Sequence, residues 1–225
     1  MPEAEGPTFA ALRLAMTELI AAHTRMVSEH IQKERLADDV MAAMGKVPRH
    51  QFVPVELQSY AYEDTPLPIG CGKTISQPFM VALMTDLLEI AKQDRVLEVG
   101  TGLGYQAAIL AELADQVFTI EIHEELAREA QQRLRQAGVN NIQFRVGDGS
   151  RGWPENAPYD KIMVTAAPER IPPALLEQLK PGGKMVIPVG RGEEQKLTLV
   201  SMHPDGRVQT LELLPVLFSP LTISH

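Results

Sequence analysis

A glycine-rich segment is the first place in this sequence where residue types and spacing indicate chemistry. It reads Glu98-Val99-Gly100-Thr101-Gly102-Leu103-Gly104 and lies where an apolar run gives way to a helical pattern. Because glycine has no Cβ, the backbone there can turn tightly and approach a ligand closely. A dinucleotide fingerprint would need its third glycine one position later, where Tyr105 stands. The spacing therefore specifies no pyrophosphate cradle and favours a nucleoside ligand without phosphates, with a plain structural turn as the alternative.

Two carboxylates follow the glycine-rich segment at the ends of apolar runs. Glu121 ends the second run, where a carboxylate can accept hydrogen bonds from both hydroxyls of a ribose. Its alternative role is that of a solvated acid at a strand end. Asp148 stands between Gly147 and Gly149 after the third run and could accept a hydrogen bond from an adenine amino group, although these three residues alone also make a good turn. With the glycine loop before it, Glu121 favours the ligand role.

Residues 66–78, with the sequence PLPIGCGKTISQP, have a composition that no structural requirement explains. They resemble the signature of protein-L-isoaspartate O-methyltransferases, and the glycine-rich segment is similar to the first motif of methyltransferases that use S-adenosyl-L-methionine (SAM). Four further segments are similar to the same family: Val47-Pro48-Arg49, Phe52-Val53-Pro54, Val164-Thr165-Ala166-Ala167-Pro168 and Leu179-Lys180-Pro181-Gly182-Gly183. The resemblance runs from about residue 38 to the C terminus, and its motifs together are highly specific.

The resemblance implies a protein-L-isoaspartate (D-aspartate) O-methyltransferase, a SAM-dependent protein carboxyl methyltransferase. It would move a methyl group from SAM, leaving S-adenosyl-L-homocysteine, to the free carboxylate of isoaspartyl residues in damaged proteins. In that family the serine of the Thr-Ile-Ser motif has its hydroxyl beside the transferred methyl group. The resemblance therefore implies that Ser76 is the catalytic residue. A helix cap ahead of Pro78 is the structural alternative for this serine. The residues expected to contact the cofactor are Thr74, Ile75, Ser76, Glu98, Gly100, Thr101, Gly102, Gly104, Glu121, Ile122, Gly147, Asp148, Gly149 and Thr222.

Three positions need a separate interpretation. Lys73 stands where a neutral residue is common in the family, and its charge could attract the substrate carboxylate or simply face solvent. Residues 218–222, with the sequence FSPLT, stand where the family usually has a valine before the proline. This difference bears on whether Thr222 contacts the cofactor. Cys71 has no implied histidine-plus-acid arrangement, so we interpret it as a small residue in a tight loop and not as a nucleophile.

Composition narrows the classes of partner and cofactor. A formal charge of -8 and a pI of about 5.3 would repel a phosphate backbone, so nucleic acid is a poor candidate substrate. The single cysteine cannot form an internal disulfide, and the six histidines lack metal-site spacing, so we expect no metal. Charged residues interrupt positions 8–31 well before the ~20 apolar residues of a membrane span. We therefore expect a cytoplasmic protein with no membrane or nucleic-acid partner. The resemblance implies isoaspartyl peptides and proteins as its substrates, and we expect a monomer.

The elements that must position these residues follow from the periodicity of apolar side chains. Helices are predicted over residues 9–33, 38–44, 79–91, 106–114, 124–137 and 173–179, with an irregular connector over 47–74 where prolines break the periodicity. Strands are predicted over residues 95–99, 117–121, 142–146, 161–164 and 184–188. Such alternation indicates a parallel sheet covered on both faces. The runs 196–202 and 208–214 flank a turn signal without a helix, which indicates an antiparallel hairpin at one edge.

The expected fold is α/β, a Rossmann-like doubly wound sheet of the SAM-dependent methyltransferase type. We expect an antiparallel edge strand and an N-terminal helical extension. Residues 1–78 would form the helical segment and a substrate-side loop, and residues 79–225 the SAM-binding catalytic domain.

Other functions stay open at this stage. A small-molecule O-methyltransferase would need an enclosed pocket in place of a peptide groove. A non-catalytic SAM-binding module would need neither Ser76 nor an intact glycine loop. A nucleobase N-methyltransferase is less favoured, because the fourth predicted core strand leads into Thr165-Ala166-Ala167-Pro168 and not into an Asn/Asp-Pro-Pro-aromatic motif.

Overall fold

The computed structural model describes residues 8–223, and the described chain opens with three helices, α1 (Phe9–Met26), α2 (Ser28–Ile31) and α3 (Asp38–Lys46). The hydroxyl of Thr8 caps α1 by accepting a hydrogen bond from the backbone N–H of Ala11 at 3.3 Å. The single helix predicted over residues 9–33 is wrong in its last part, because Val27 interrupts the helical backbone and Gln32 ends α2 with a left-handed φ of 55°. The N-terminal piece is helical, but in shorter segments.

Residues 47–74, predicted as an irregular connector, contain a short β-hairpin that the prediction missed. β1 (Leu67–Gly70) pairs antiparallel with β2 (Lys73–Ile75). The two residues between them, Cys71 and Gly72, have positive φ angles of 50° and 66°, as tight two-residue hairpin turns require. Cys71 is exposed at this turn.

Helix α4 (Pro78–Leu88) begins beside the hairpin and has an unusual cap. Its N-cap residue, Gln77, makes no capping hydrogen bond with its side chain. Instead, the carboxylate of Asp64 accepts a hydrogen bond from the backbone N–H of Phe79 at 2.9 Å. The alternative role of Ser76 as a helix cap is therefore wrong, because a residue that is distant in sequence satisfies this helix end.

The remaining helices and strands alternate along the chain. They are β3 (Arg95–Val99), α5 (Tyr105–Leu113), β4 (Gln116–Glu121), α6 (Glu124–Gln136), β5 (Ile142–Val146), β6 (Tyr159–Val164), α7 (Pro173–Glu177), β7 (Leu179–Val189), β8 (Lys196–Met202) and β9 (Val208–Pro215). In the seven-stranded sheet the order is β5-β4-β3-β6-β7-β8-β9. The first five strands are parallel, and β8 pairs antiparallel with both β7 and β9. The predicted doubly wound sheet and its antiparallel edge hairpin are confirmed.

Alternate residues of each buried strand face two apolar clusters. On one face, Met16 and Ile20 of α1 pack in the same buried cluster as Leu83 of α4 and Leu110 of α5. On the other face, Phe118, Tyr159 and Leu175 belong to the second cluster. The N-terminal helices thus share a core with the sheet. The domain boundary between residues 78 and 79 stays a prediction, and residues 1–7 of the N-terminal part lie outside the described residues.

Within residues 8–223, no helix combines the length and the apolar character needed to cross a membrane. In the same range, no group of three or more His, Cys, Asp or Glu side chains is arranged to hold a metal ion.

Candidate active site

A cavity of about 410 Å³ lies at the carboxyl ends of β3, β4 and β6, the edge where parallel sheets bind their ligands. One side, here called the sheet wall, consists of Val99, Gly100, Gly102, Ile120, Glu121, Ile122, Gly149, Thr165 and Ala166. The other side, here called the loop wall, consists of Pro66, Ile69, Lys73, Thr74, Ser76, Gln77, Met80 and residues 215–222. Among these described lining residues, Lys73 and Glu121 carry the charges.

Close packing explains why the first and third positions of the glycine loop, 100 and 104, are occupied by glycine. Gly100 and Gly104 have φ angles of 99° and 95°, in the left-handed region that favours glycine. A Cβ on Gly100 would overlap the hydroxyl of Thr165, and one on Gly104 would come within 2.8 Å of the Leu134 side chain. Gly100 lines the cavity, whereas Gly104 lies outside the cavity lining and faces α6. The two glycines therefore let the loop fit between the sheet and its covering helix.

The middle glycine is fixed by a carboxylate. Glu121 is buried, and its Oε2 accepts a hydrogen bond from the backbone N–H of Gly102 at 2.9 Å. Its Oε1 accepts a second one from the N–H of His123 at 3.0 Å. A carboxylate has about four lone-pair positions, so each oxygen can still accept a bond from a ligand hydroxyl in the cavity. Glu121 and Ile122, both predicted to contact the cofactor, line the cavity, and the ribose role of Glu121 stays a prediction.

Glu98 lies beneath the glycine loop and outside the cavity lining. The hydroxyl of Thr119 donates to its Oε2, and this hydroxyl is also 2.6 Å from that of Thr101 in the loop. Oε1 of Glu98 is buried with no hydrogen-bond partner among the described residues. Burial raises the pKa of Glu98 to about 8, the Thr119 hydrogen bond opposes this rise, and the charge of Glu121 adds to it. A carboxyl that is mostly protonated at neutral pH therefore supports the loop from below.

The three residues after β5 divide between the cavity and the turn beside it. Gly149 lines the cavity, and a Cβ there would overlap the side chain of Val99. Gly147 and Asp148 lie outside the cavity lining. Asp148 accepts hydrogen bonds from the backbone N–H and the hydroxyl of Ser150 at 2.9 and 2.7 Å, which shapes this turn.

Ser76 lies at the junction of two cavities. It lines the large cavity and also a second one of about 40 Å³ behind the glycine loop, as do Thr74, Gly100 and Gly102. Ile75 and Thr101 line only the smaller of the two. The Ser76 hydroxyl has no hydrogen-bond partner among residues 8–223, so it is available to a bound ligand.

The C-terminal segment closes the loop wall. Residues 219–221 pair with Ala167, whose N–H donates to the carbonyl of Ser219 at 2.8 Å and whose carbonyl accepts from the N–H of Leu221 at 2.9 Å. Thr222 lines the cavity, and its hydroxyl accepts a hydrogen bond from Nζ of Lys73 at 3.5 Å. The Lys73 charge therefore lies at the cavity and does not simply face solvent.

Two glutamines at the site were not predicted from the sequence. Gln77 lines the large cavity beside Ser76, and Gln106 lines the small one. The Gln106 amide nitrogen donates a hydrogen bond to the hydroxyl of Thr85 at 2.9 Å, and that hydroxyl donates one to the carbonyl of Val81 at 2.7 Å. The carbonyl oxygen of Gln106 is therefore left for the cavity. Its position on the first turn of α5, directly after the glycine loop, is the signal that could have found it.

Comparison with known sequences identifies relatives over almost the whole chain. The model of the family described as protein-L-isoaspartate(D-aspartate) O-methyltransferase (PCMT) matches residues 21–225, a wider range than the resemblance that starts near residue 38. A protein-L-isoaspartate O-methyltransferase 1 from Polaromonas sp. (strain JS666 / ATCC BAA-500) is 57% identical over 96% of this chain and 91% of its own length. A protein-L-isoaspartate O-methyltransferase 2 from Syntrophobacter fumaroxidans is 53% identical over 96% of this chain and 88% of its own length.

Solved structures agree with the fold. A protein-L-isoaspartate O-methyltransferase structure superposes with a TM-score of 0.77 and 26% identity; the match covers 92% of this chain and 65% of that one. A protein-L-isoaspartate O-methyltransferase from Plasmodium falciparum, solved with S-adenosyl-L-homocysteine, has a TM-score of 0.76 and 22% identity over 92% of this chain and 99% of its own, a likeness that bears on the fold alone. Because the family model covers nearly the whole chain and these relatives are 57% and 53% identical to it over the aligned residues, this chain belongs to the protein-L-isoaspartate(D-aspartate) O-methyltransferase family.

Proposed function

We propose that this chain transfers the methyl group of SAM to the free carboxylate of isoaspartyl residues in proteins, and that Ser76 is the catalytic residue of this transfer. The main support for this proposal is the hydroxyl of Ser76, which has no hydrogen-bond partner among the described residues and lies where the large and small cavities meet beside the glycine loop. Family membership favours this activity over the small-molecule methyltransferase and the non-catalytic binding module.

The residues of the sheet wall fit the nucleoside part of SAM. Glu121 keeps acceptor positions toward the cavity after binding two backbone N–H groups, which suits a ribose with two hydroxyls. No lysine or arginine belongs to this wall, so it offers nothing for a phosphate and suits a phosphate-free nucleoside. Ile122 and Gly149 would flank the nucleoside, and Asp148 would contribute from the turn behind them. As cofactor contacts, these residues remain part of the proposal.

The small cavity, beside the glycine loop, would receive the end of the amino-acid part of SAM. Its lining residues include Thr74, Ser76, Thr101 and Gln106, which have neutral polar side chains, and none of its described lining residues is charged. Neutral donors and acceptors of this kind can bind an ammonium and a carboxylate group together. With the nucleoside beside Glu121 and the amino-acid part in the small cavity, the sulfonium methyl group would face Ser76.

The protein's contribution to the reaction is positioning. Bound SAM supplies a methyl group that its positively charged sulfur makes electrophilic. A carboxylate with a solution pKa near ~4 is already ionised at neutral pH, so the chain needs no general base. The Ser76 hydroxyl donates a hydrogen bond to one carboxylate oxygen and aligns the other for in-line attack. Lys73 attracts the carboxylate, and the walls exclude water from the two opposite charges.

The proposal also covers where and in what form the enzyme acts. We propose a monomer in the cytoplasm that does not act on nucleic acid. The net charge of -8 disfavours a phosphate backbone, and the free, exposed Cys71 suits a reducing compartment. Sedimentation of the purified chain and cell fractionation would test the first two statements.

A methanol-release assay tests the function directly. The purified chain is incubated with SAM and an isoaspartyl peptide, and the labile methyl ester is quantified through the methanol that it releases. We expect turnover of the isoaspartyl peptide and none of a matched peptide with normal aspartate. Equal methylation of both peptides, or of neither, would contradict the proposed function.

A further inference from the structure

The carboxylate of Asp64 organises the entrance to α4 by binding three donors. Its Oδ1 accepts from the backbone N–H of Phe79 at 2.9 Å, which caps the helix. Its Oδ2 accepts from the side-chain amide of Gln77 at 3.0 Å and lies 3.0 Å from Nδ1 of His23, whose ring stacks on that of Phe79 at 3.9 Å. Asp64 therefore fixes the backbone start of α4 and the side chain of the residue next to Ser76.

This contact determines which end of the Gln77 amide faces the cavity. An ionised carboxylate only accepts hydrogen bonds, so Gln77 must present its NH₂ group to Asp64. The carbonyl oxygen of Gln77 has no hydrogen-bond partner among the described residues, and Gln77 lines the large cavity with Ser76 but not the small one. Asp64 also lies just before Pro66, another residue of the loop wall. A hydrogen-bond acceptor is thus available to the large cavity, whereas Gln77 is not among the lining residues of the small one.

An acceptor at this position selects for a particular part of the methyl-accepting peptide. The reacting carboxylate is itself an acceptor and would be repelled by the Gln77 carbonyl. A backbone N–H beside the isoaspartyl residue is a complementary donor. We propose that Gln77 is a specificity-determining residue whose carbonyl oxygen accepts a hydrogen bond from a backbone N–H of the peptide, and that Asp64 is the positioning residue that holds this amide in place.

The proposal rests on the proposed function, and N-methylated substrates test it separately. Three isoaspartyl peptides are compared by kcat/KM: the parent, one with an N-methyl group on the isoaspartyl nitrogen, and one with it on the following nitrogen. For the wild type we expect one N-methyl peptide to be poorer than the parent by about three- to tenfold, the range for one neutral hydrogen bond. In Gln77→Met, kcat/KM for the parent peptide should fall by a similar factor. The N-methyl group that weakened turnover by the wild type should then cause no further loss.

Asp64→Asn supplies a second, matched variant. Asparagine keeps an acceptor oxygen for the Phe79 N–H, so the helix cap and Tm should be nearly retained. Its NH₂ group faces Gln77, so the Gln77 amide must turn its carbonyl inward and present a donor to the cavity. We expect Asp64→Asn to lose the N-methyl discrimination without losing the fold, whereas Asp64→Ala should lose both discrimination and stability.

The outcomes separate this inference from the function itself. A wild type that does not methylate the parent peptide would contradict the proposed function. An active wild type that treats all three peptides alike would overturn the inference. So would a discrimination of unchanged size in Gln77→Met or Asp64→Asn, because a steric effect of the N-methyl group would persist in both variants.

Discussion

The two walls of the cavity use their polar groups in opposite ways. In the sheet wall, the Glu121 carboxylate binds the N–H groups of Gly102 and His123, and the Thr165 hydroxyl donates to the carbonyl of Gly100 at 2.8 Å. In the loop wall, Lys73 donates to Thr222, but the Ser76 hydroxyl and the Gln77 carbonyl have no hydrogen-bond partner within residues 8–223. The named polar groups of the sheet wall are thus bonded within the protein, whereas the loop wall also offers two unpaired groups.

This difference assigns a separate task to each wall. Groups that are bonded to one another rigidify a fixed shape, which suits a ligand held in the same way at every turnover. Free groups can bind a partner whose flanking residues change from one protein to the next. We therefore expect changes in the sheet wall to alter SAM affinity, and changes in the loop wall to alter turnover of the peptide.

The largest effect should come from a side chain on the sheet wall's central glycine. Gly102 has φ of 54°, and a Cβ there would lie 3.0 Å from the Ile69 side chain, so Gly102→Val should raise the Kd for SAM by roughly hundredfold or more. Gly192 is a matched control, because its φ is 51° and a Cβ there meets nothing within 4 Å. Equilibrium dialysis should show near-normal SAM binding by Gly192→Val. Normal binding by Gly102→Val would reduce the loop to a structural turn.

The next effect concerns the carboxylate that holds this loop. Glu121→Ala removes the proposed ribose acceptor and also frees the N–H groups of Gly102 and His123. SAM affinity should fall by about 1.5 to 3 kcal/mol, roughly ten- to hundredfold, as for one hydrogen bond to a charged group. Calorimetry measures this loss, and Glu121→Gln, which keeps one acceptor oxygen, should lose less. Wild-type affinity in Glu121→Ala would remove this residue from the site.

A smaller effect, on turnover alone, should follow from Ser76→Ala. Because Asp64 caps α4, loss of this hydroxyl should leave Tm nearly unchanged. Loss of the bond that aligns the carboxylate should lower kcat/KM for an isoaspartyl peptide by at least about tenfold, with little change in SAM affinity. Ser76→Thr keeps a hydroxyl and should recover part of the rate. Unchanged kinetics in a folded Ser76→Ala protein would leave the transfer to the surrounding backbone.

The smallest effect is a pH-dependent stability change beneath the sheet wall. In the folded chain the pKa of Glu98 is about 8, above its ordinary value of 4.5, so between pH 4.5 and pH 8 the folded chain keeps a proton that the unfolded chain has released. Its contribution to stability is therefore complete below about pH 4.5 and is lost as the pH rises toward 8. The glutamine of Glu98→Gln cannot titrate. The Tm of this variant, relative to the Tm of the wild type, should therefore increase as the pH rises from 5 to 8. Parallel Tm profiles for the two proteins would contradict the raised pKa.

Much of the fold could be predicted because its determinants are local. The apolar runs at β3 and β5 gave the correct bounds, since buried parallel strands are short and flanked by turn residues. The β1–β2 hairpin was missed for the opposite reason. Its strands are only four and three residues long and contain Pro68, and its turn, Cys71-Gly72, is not one of the usual Asn-Gly or Asp-Gly signals.

The residues of the candidate site also fall into two groups, those that the sequence could locate and those that it could not. Glu121 and the glycine loop could be located because they end adjacent strands, where the topology of a parallel sheet decides what meets. The resemblance supplied Ser76. Asp64 and Gln77 could not be found, because their roles depend on hydrogen bonds between segments that the sequence does not pair: Asp64 binds the N–H of Phe79 and the side-chain amide of Gln77.

The attachment of the C-terminal segment has a consequence for local unfolding. Residues 216–222 lie outside the ladder of the sheet. Two hydrogen bonds to Ala167 hold them, and the side chain of Gln195 binds the N–H and carbonyl of Phe218 at 2.7 and 3.0 Å. The N–H of Val216 also donates to the carbonyl of Gln195 at 3.1 Å, and Lys73 donates to Thr222. Releasing these few bonds costs less than opening the seven-stranded sheet, so amide protons at Leu221 and Phe218 should exchange with solvent sooner than those of β3 and β4. We therefore expect this side of the cavity to open while the glycine loop stays folded, and under the proposed function such opening would give a bulky protein substrate a route to Ser76 that leaves the core intact.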